Sequence, residues 1–231
     1  RKDQYGGSFE NRLRFLVEIY QAIRERVGDD YPLILKLNGS DDLPFRKGLS
    51  TQELVNIALR MEKEGIDAVE ISAGHYESCT SFERGHWKGF TRAMLKNGPG
   101  QALAWPRRMA MRIFAPLVDL IFNKVAGFSE GFNLSYSQQF TKALKIPVIC
   151  VGGFVNKQTM TTALNNGECD MVSVARGLLA DPFLYRHLKE DKPGPVCTYC
   201  NACFTQPGSS PLACINPEVS SQRAQMLALE S

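Results

Sequence analysis

The run from Ile146 to Pro182 leaves this chain few folds to choose from. It reads IPVICVGGF, then NKQTMTTALNNGE, then CDMVSVARGLLADP. Val148 to Val151 is short, apolar and β-branched, and Gly152 and Gly153 close it. Asn156 to Glu168 carries Met160, Ala163 and Leu164 at helical spacing, with Gly167 as a stop. Met171 to Ala175 is a second apolar run and ends at Arg176-Gly177. The pattern is strand, helix, strand, and two parallel strands need such a crossover. Glycines after one strand and Arg-Gly after the next suit an anion cradle, with backbone N–H groups as its floor and one guanidinium as its charge. Glycines also end strands with no ligand in view, so both readings stand at this point.

The rest of the chain repeats the unit. Residues 10–27 form an amphipathic stripe between Ser8 as N-cap and Gly28 as stop. Pro32 to Leu37 (PLILKL) predicts a strand interrupted by Lys36, and Ile66 to Ser72 (IDAVEIS) another that carries Glu70. Thr51 to Glu64 between them predicts a helix, capped at Ser50 or Thr51 and stopped by Gly65. Tyr136 to Leu144 and Pro182 to Lys189 predict two more helices. A leading helix followed by four strand–helix units implies a parallel sheet with right-handed crossovers, half of an eight-stranded barrel. Barrel ligands lie at the C-terminal ends of the strands, where Lys36, Glu70, Gly152, Gly153 and Arg176 all fall. The stretch from His75 to Glu130 is longer than an ordinary connection and predicts an insertion that serves function or contact. It holds His75, His86 and a helix from Arg107 to Lys124 that Pro116 is expected to bend or break. The two histidines are expected to be surface or satisfied core residues.

Seven cysteines divide into two groups. Cys79, Cys150 and Cys169 are isolated, the last two in or beside strands, as buried free thiols often are. Cys197, Cys200 and Cys203 form C-x-x-C-x-x-C, and Cys214 follows. Four thiolates in this pattern suit a tetrahedral ion or an iron–sulfur cluster. Zinc sites more often pair two C-x-x-C knuckles, so the triple run leans toward [4Fe–4S], with zinc or unliganded thiols as alternatives. The odd number and the absence of a signal-peptide pattern point to a reducing cytoplasm. A net charge of +3 with scattered basic residues gives no nucleic-acid footprint. The longest apolar stretch, Met109 to Phe122, is too short to span a bilayer and reads as a helix packed on protein or at an interface. The flanking Arg107, Arg108 and Lys124 leave a membrane-surface role open.

With these motifs in hand, the chain resembles the Old Yellow Enzyme-like NADH:flavin oxidoreductases. The likeness lies in DQYGGSFENRLRF near the start, then LILKLNG followed by DD, GIDAVEISAG, IPVICVGGF and SVARGLLADPFLYRHL in order. The cysteine run followed by Asn216-Pro217 resembles the branch with 2,4-dienoyl-CoA reductase and trimethylamine dehydrogenase. The resemblance implies an α/β TIM barrel, (β/α)8, of which this chain holds the C-terminal half in four βα units plus a Cys-rich segment. The expected division is residues 1–190 for the half barrel, with an insertion at about 76–129, and residues 191–231 for the cluster segment. It also implies FMN as cofactor and NAD(P)H as reductant. By position, Lys36 matches a basic residue at the flavin pyrimidine edge. Gly152 and Gly153 match one phosphate loop, and Ala175, Arg176 and Gly177 the other. Cys197, Cys200, Cys203 and Cys214 match the cluster ligands.

The implied activity is hydride transfer through flavin N5 to an activated alkene, a small-molecule substrate. The family's first four strands, which carry the rest of the flavin site and the substrate-holding side chains, are not matched. No catalytic residue is assigned, the isolated chain is expected to have little ene-reductase activity, and its partner is expected to be the other half barrel, another chain or a second copy. The competing expectation is a non-catalytic half barrel that binds a phosphate ligand and a structural metal on the four cysteines.

Overall fold

The computed structural model describes residues 1–41, 43, 46–74, 83–205 and 211–230. Strands β1 (Ile34–Asn38), β2 (Ala68–Ser72), β3 (Val148–Val151) and β4 (Met171–Ser173) form one sheet in the order β1-β2-β3-β4, parallel throughout. Helix α1 (Phe9–Val27) precedes it, and α2 (Thr51–Glu64) crosses from β1 to β2. Between β2 and β3 lie α3 (Phe90–Asn97), a 3-10 turn at Pro99–Ala102, α4 (Trp105–Val125) and α5 (Leu134–Ala143). α6 (Lys157–Asn165) joins β3 to β4, and α7 (Arg176–Ala180), α8 (Leu184–Glu190) and α9 (Pro217–Glu230) follow.

Local chemistry explains the best-defined element. Ser50 accepts from the Glu53 N–H while the Glu53 carboxylate accepts from the Ser50 N–H, a full capping box, and Gly65 ends α2 in the left-handed region. Glu62 reaches across to accept from the Lys145 and Ile146 N–H groups, which ties the end of α2 to the entry of β3.

The sheet has two unlike faces. Leu35, Leu37, Val69, Ile71 and Val148 point toward the helices and join Leu54, Ala58 and Phe140 in the main core. Cys150, Phe154, Met160, Ala163 and Cys169 continue that layer beneath α6. Each large buried side chain contributes on the order of 2 kcal/mol. Alternation puts Lys36, Glu70, Ile149 and Met171 on the other face, and pairing sets them in one row. In a closed barrel this face looks inward.

α4 continues through Pro116, so of the bend or break expected there the break does not occur. Its Asp119 is buried and accepts from the Gly89 and Thr91 N–H groups and the Thr91 hydroxyl, so it fixes the start of α3. Trp87 is stacked on Phe122 and donates its indole N–H to the Ala126 carbonyl.

Candidate functional site

The C-terminal ends of β2, β3 and β4 enclose a cavity of about 140 Å³. Ser72, Val151 and Ser173 form its strand-end rim, Gly152, Gly153, Ala175 and Arg176 its turns, and Phe132, Asn133, Tyr199 and Phe204 its remaining wall. Two glycines are needed here. Gly153 has φ +75°, and a Cβ on Gly152 would sit 3.0 Å from the Asn133 nitrogen. Leu178 and Leu179 donate to the Ala175 carbonyl, and as the first residues of α7, Arg176 and Gly177 have N–H groups without intrahelical partners. The floor is therefore backbone and small residues, with one cationic side chain.

That cation is braced. Arg176 Nη1 donates to the Arg84 carbonyl at 2.8 Å and to Asn201 Oδ1 at 2.6 Å, and the guanidinium lies 4.1 Å from the Tyr199 ring centroid. Phe204 flanks it at 5.5 Å. Burial lowers its pKa from the ordinary arginine value, while Tyr199, Cys197, Cys203 and Glu83 act in the opposite direction. Burial also raises the Glu83 carboxyl, with Arg176 pulling it back.

The sequence-predicted residues divide by place. Gly152, Gly153, Ala175 and Arg176 meet in the cavity wall. Gly177 is buried behind it, where a Cβ would stand 2.6 Å from Val174 Cγ1, so close packing demands the glycine. Lys36 lies on β1, two strands from β3, roughly 10 Å across the sheet. Its Nζ pairs with Glu70 Oε1 at 2.7 Å, the lysine side chain being 58% exposed. The register couples the two polar residues read separately from the sequence.

Cys197, Cys200, Cys203 and Cys214 are free and half-buried. Among the described residues no group of three or more His, Cys, Asp or Glu side chains closes up around a single ion. Four thiols are a donor set that suits either an iron–sulfur cluster or a tetrahedral zinc ion. Burial raises the Cys197 and Cys203 thiols, and Arg176 offsets this for both. Burial works the same way on Cys200, but hydrogen bonds from Asn216, the Ala202 N–H and Thr198 outweigh it and lower that thiol overall. Cys150 and Cys169 differ: burial pushes them up to about 12 and about 11, as expected of structural thiols.

Sequence reading missed three contributors. Asn133 is 2% exposed and precedes α5 without capping it. Its Nδ2 donates to the Val151 carbonyl at 2.5 Å, and its Oδ1 has no hydrogen-bond partner among the described residues. From between the cysteines, Tyr199 reaches the wall and Asn201 reaches Arg176, with φ of 51° and 56°, a local geometry that no motif announces. Of the two histidines singled out, His86 is exposed against Phe128, and His75 lies outside the described residues, as does Cys79.

The model of the NADH:flavin oxidoreductase / NADH oxidase family matches residues 1–97 and 117–194. The chain is 30% identical over 204 residues to an NADH oxidase of Thermoanaerobacter brockii, covering 87% of this chain and 25% of that protein. It is 30% identical over 208 residues to the 4,4'-dithiodibutanoate disulfide reductase of Rhodococcus erythropolis, covering 88% and 48%. Among solved structures, a 2-naphthoyl-CoA reductase in complex with 2-naphthoyl-CoA aligns with a TM-score of 0.66 at 26% identity, over 96% of this chain and 28% of that one. The chain thus spans a quarter to a half of the length of these curated relatives.

Proposed function

The chain belongs to the NADH:flavin oxidoreductase / NADH oxidase family, and from that premise we propose that it forms the phosphate-binding side of an FMN site in an NAD(P)H-dependent ene-reductase-like enzyme. The observation that carries the reading is the cavity at the ends of β3 and β4, which Gly152, Gly153, Ala175 and Arg176 line together. FMN held there would supply hydride transfer from NAD(P)H to an activated alkene.

Each residue has a part in that reading. Gly152 and Gly153 let the main chain approach the phosphate, and the Arg176 and Gly177 N–H groups point donors at it. Arg176 adds charge from a fixed position, since its stacking on Tyr199 removes its freedom to swing away. Lys36 offsets negative charge on the ring side, its own position set by Glu70. Cys197, Cys200, Cys203 and Cys214, in a segment at 191–231 distinct from the half barrel at 1–190, would hold an iron–sulfur cluster, which would supply single-electron transfer. Substrate-carbonyl ligands and a proton donor are assigned to barrel strands outside this set of four.

The test compares FMN with riboflavin in fluorescence titrations of the purified chain. FMN is expected to bind at least about tenfold tighter, the phosphate supplying charge-assisted hydrogen bonds. Equal affinities would overturn the phosphate assignment. Anaerobic purification followed by metal analysis separates iron with sulfide from zinc; zinc with no flavin affinity would favour the non-catalytic module.

A further inference from the structure

The family match stops at Asn97 and resumes at Leu117. The unmatched residues include the first half of α4, and there the helix leaves the body: every residue from Ala104 to Phe114 is exposed. In the second half, Ala115 and Asp119 face inward and are buried. The stripe they begin continues toward the N-terminus, at helical spacing, as Arg112 and Arg108. On the opposite side Met109, Ile113, Leu117, Leu120 and Ile121 are exposed, with Ile113 at 66%, and Trp105 stands at the helix start at 72%. The side that packs on protein near Asp119 thus turns basic where protein support ends, while the other side stays apolar from Met109 to Ile121 and ends on Lys124.

Charge identifies the occupant. From Lys88 to Lys124 there are seven Lys and Arg and a single acid, Asp119, whose carboxylate is buried and taken up by α3. A second copy docked by a two-fold axis on the apolar side would leave Arg108 and Arg112 without counter-charge. A lipid surface with anionic headgroups matches both halves of the pattern, apolar side into the acyl boundary and arginines at headgroup level. Among the described residues no helix is long and apolar enough to cross a membrane, in keeping with a helix that lies in the interface plane. We infer that α4 docks the protein on an anionic membrane surface.

The chain carries its own probe. Trp105 is exposed, whereas the only other tryptophan, Trp87, is 1% exposed and fixed by Phe122 and Ala126. Vesicles of phosphatidylglycerol should shift Trp105 emission to the blue and carry the chain down on sedimentation. Vesicles of phosphatidylcholine should do so at least tenfold more weakly, and added salt should weaken the anionic case. Each arginine near such a surface is worth about fivefold, so Arg108→Glu with Arg112→Glu should lower affinity by at least tenfold. Ile113→Ser with Leu117→Ser should abolish the shift. All four side chains are exposed, and circular dichroism with unchanged Trp87 emission in a Trp105→Phe background checks that the variants stay folded. No shift and no sedimentation with phosphatidylglycerol would overturn the inference. So would a chain that is dimeric without lipid and becomes monomeric on Ile113→Ser with Leu117→Ser.

Discussion

Arg176 shows how much one side chain carries. It touches the cavity, the Arg84 carbonyl, Asn201 and two aromatic rings, and so joins the sheet ends to the cysteine segment. Lysine keeps the charge but lacks the flat face for Tyr199, and its shorter side chain ends short of the point from which Nη1 serves both the Arg84 carbonyl and Asn201. Arg176→Lys is therefore expected to lower stability by about 1.5–3 kcal/mol in urea denaturation, the range for hydrogen bonds to a charged group. FMN affinity should fall with it. A variant as stable as the parent would show that the bridge contributes little. That Gly152, Gly153 and Arg176 would meet at the strand ends was legible in the sequence, because GG after one strand and RG after the next fall at the same end of a βα unit. Asn133, Tyr199 and Asn201 were not legible, since the first two reach the cavity, and the third reaches Arg176, from loops whose paths depend on packing against Gly152, Phe154 and Glu83.

At the scale of elements, α9 is held to α8 by a histidine that no sequence motif singles out. His187 is buried; its Nδ1 lies 2.6 Å from Asp181 Oδ2 and its Nε2 2.8 Å from Glu230 Oε1, near the end of α9. Arg186 pairs with the other Glu230 oxygen at 3.0 Å. Hydrogen bonds to Glu230 and Asp181 raise the His187 pKa above its ordinary value, against burial. A raised folded pKa means that the stabilisation is complete below the unfolded value near 6.5 and is lost as pH rises through the folded one. The midpoint of thermal unfolding should therefore fall as pH is raised from 6 toward 9, and His187→Gln should flatten the profile. A parent profile already flat over that interval would remove His187 from the account. Where helices repeat a capping rule, as α2 does between Ser50 and Gly65, sequence placed their bounds to the residue. α3 and α9 went unread: α3 starts from Gly89 without a side-chain cap, and its anchor, Asp119, lies 30 residues ahead of that glycine.

For the whole molecule, four parallel strands leave a problem that the fold must solve. Parallel sheets are covered on both faces, yet here helices cover one. On the other, Ile34 and Met171 are exposed beside the Lys36–Glu70 pair. β1 and β4 also each pair on one side among the described residues, which leaves two rows of backbone donors and acceptors open. The four strands were legible in the sequence; the pleat of β1 then sets Leu35 and Leu37 toward the core and Lys36 on the inner face. How the edges are satisfied is not written in these strands, because edge pairing depends on backbone that any strand of matching length can supply. The purified chain is accordingly expected to associate through β1 and β4. Light scattering should give a mass above 25.8 kDa, the value for one chain. Ile34→Lys with Met171→Lys, which places charge at both edges, should return that mass to one chain, whereas Ile113→Ser with Leu117→Ser on α4 should leave it unchanged. A parent chain that is monomeric and binds no apolar dye would mean that the inner face is covered by some other rearrangement of this sequence, and the half-barrel account of its edges would fail.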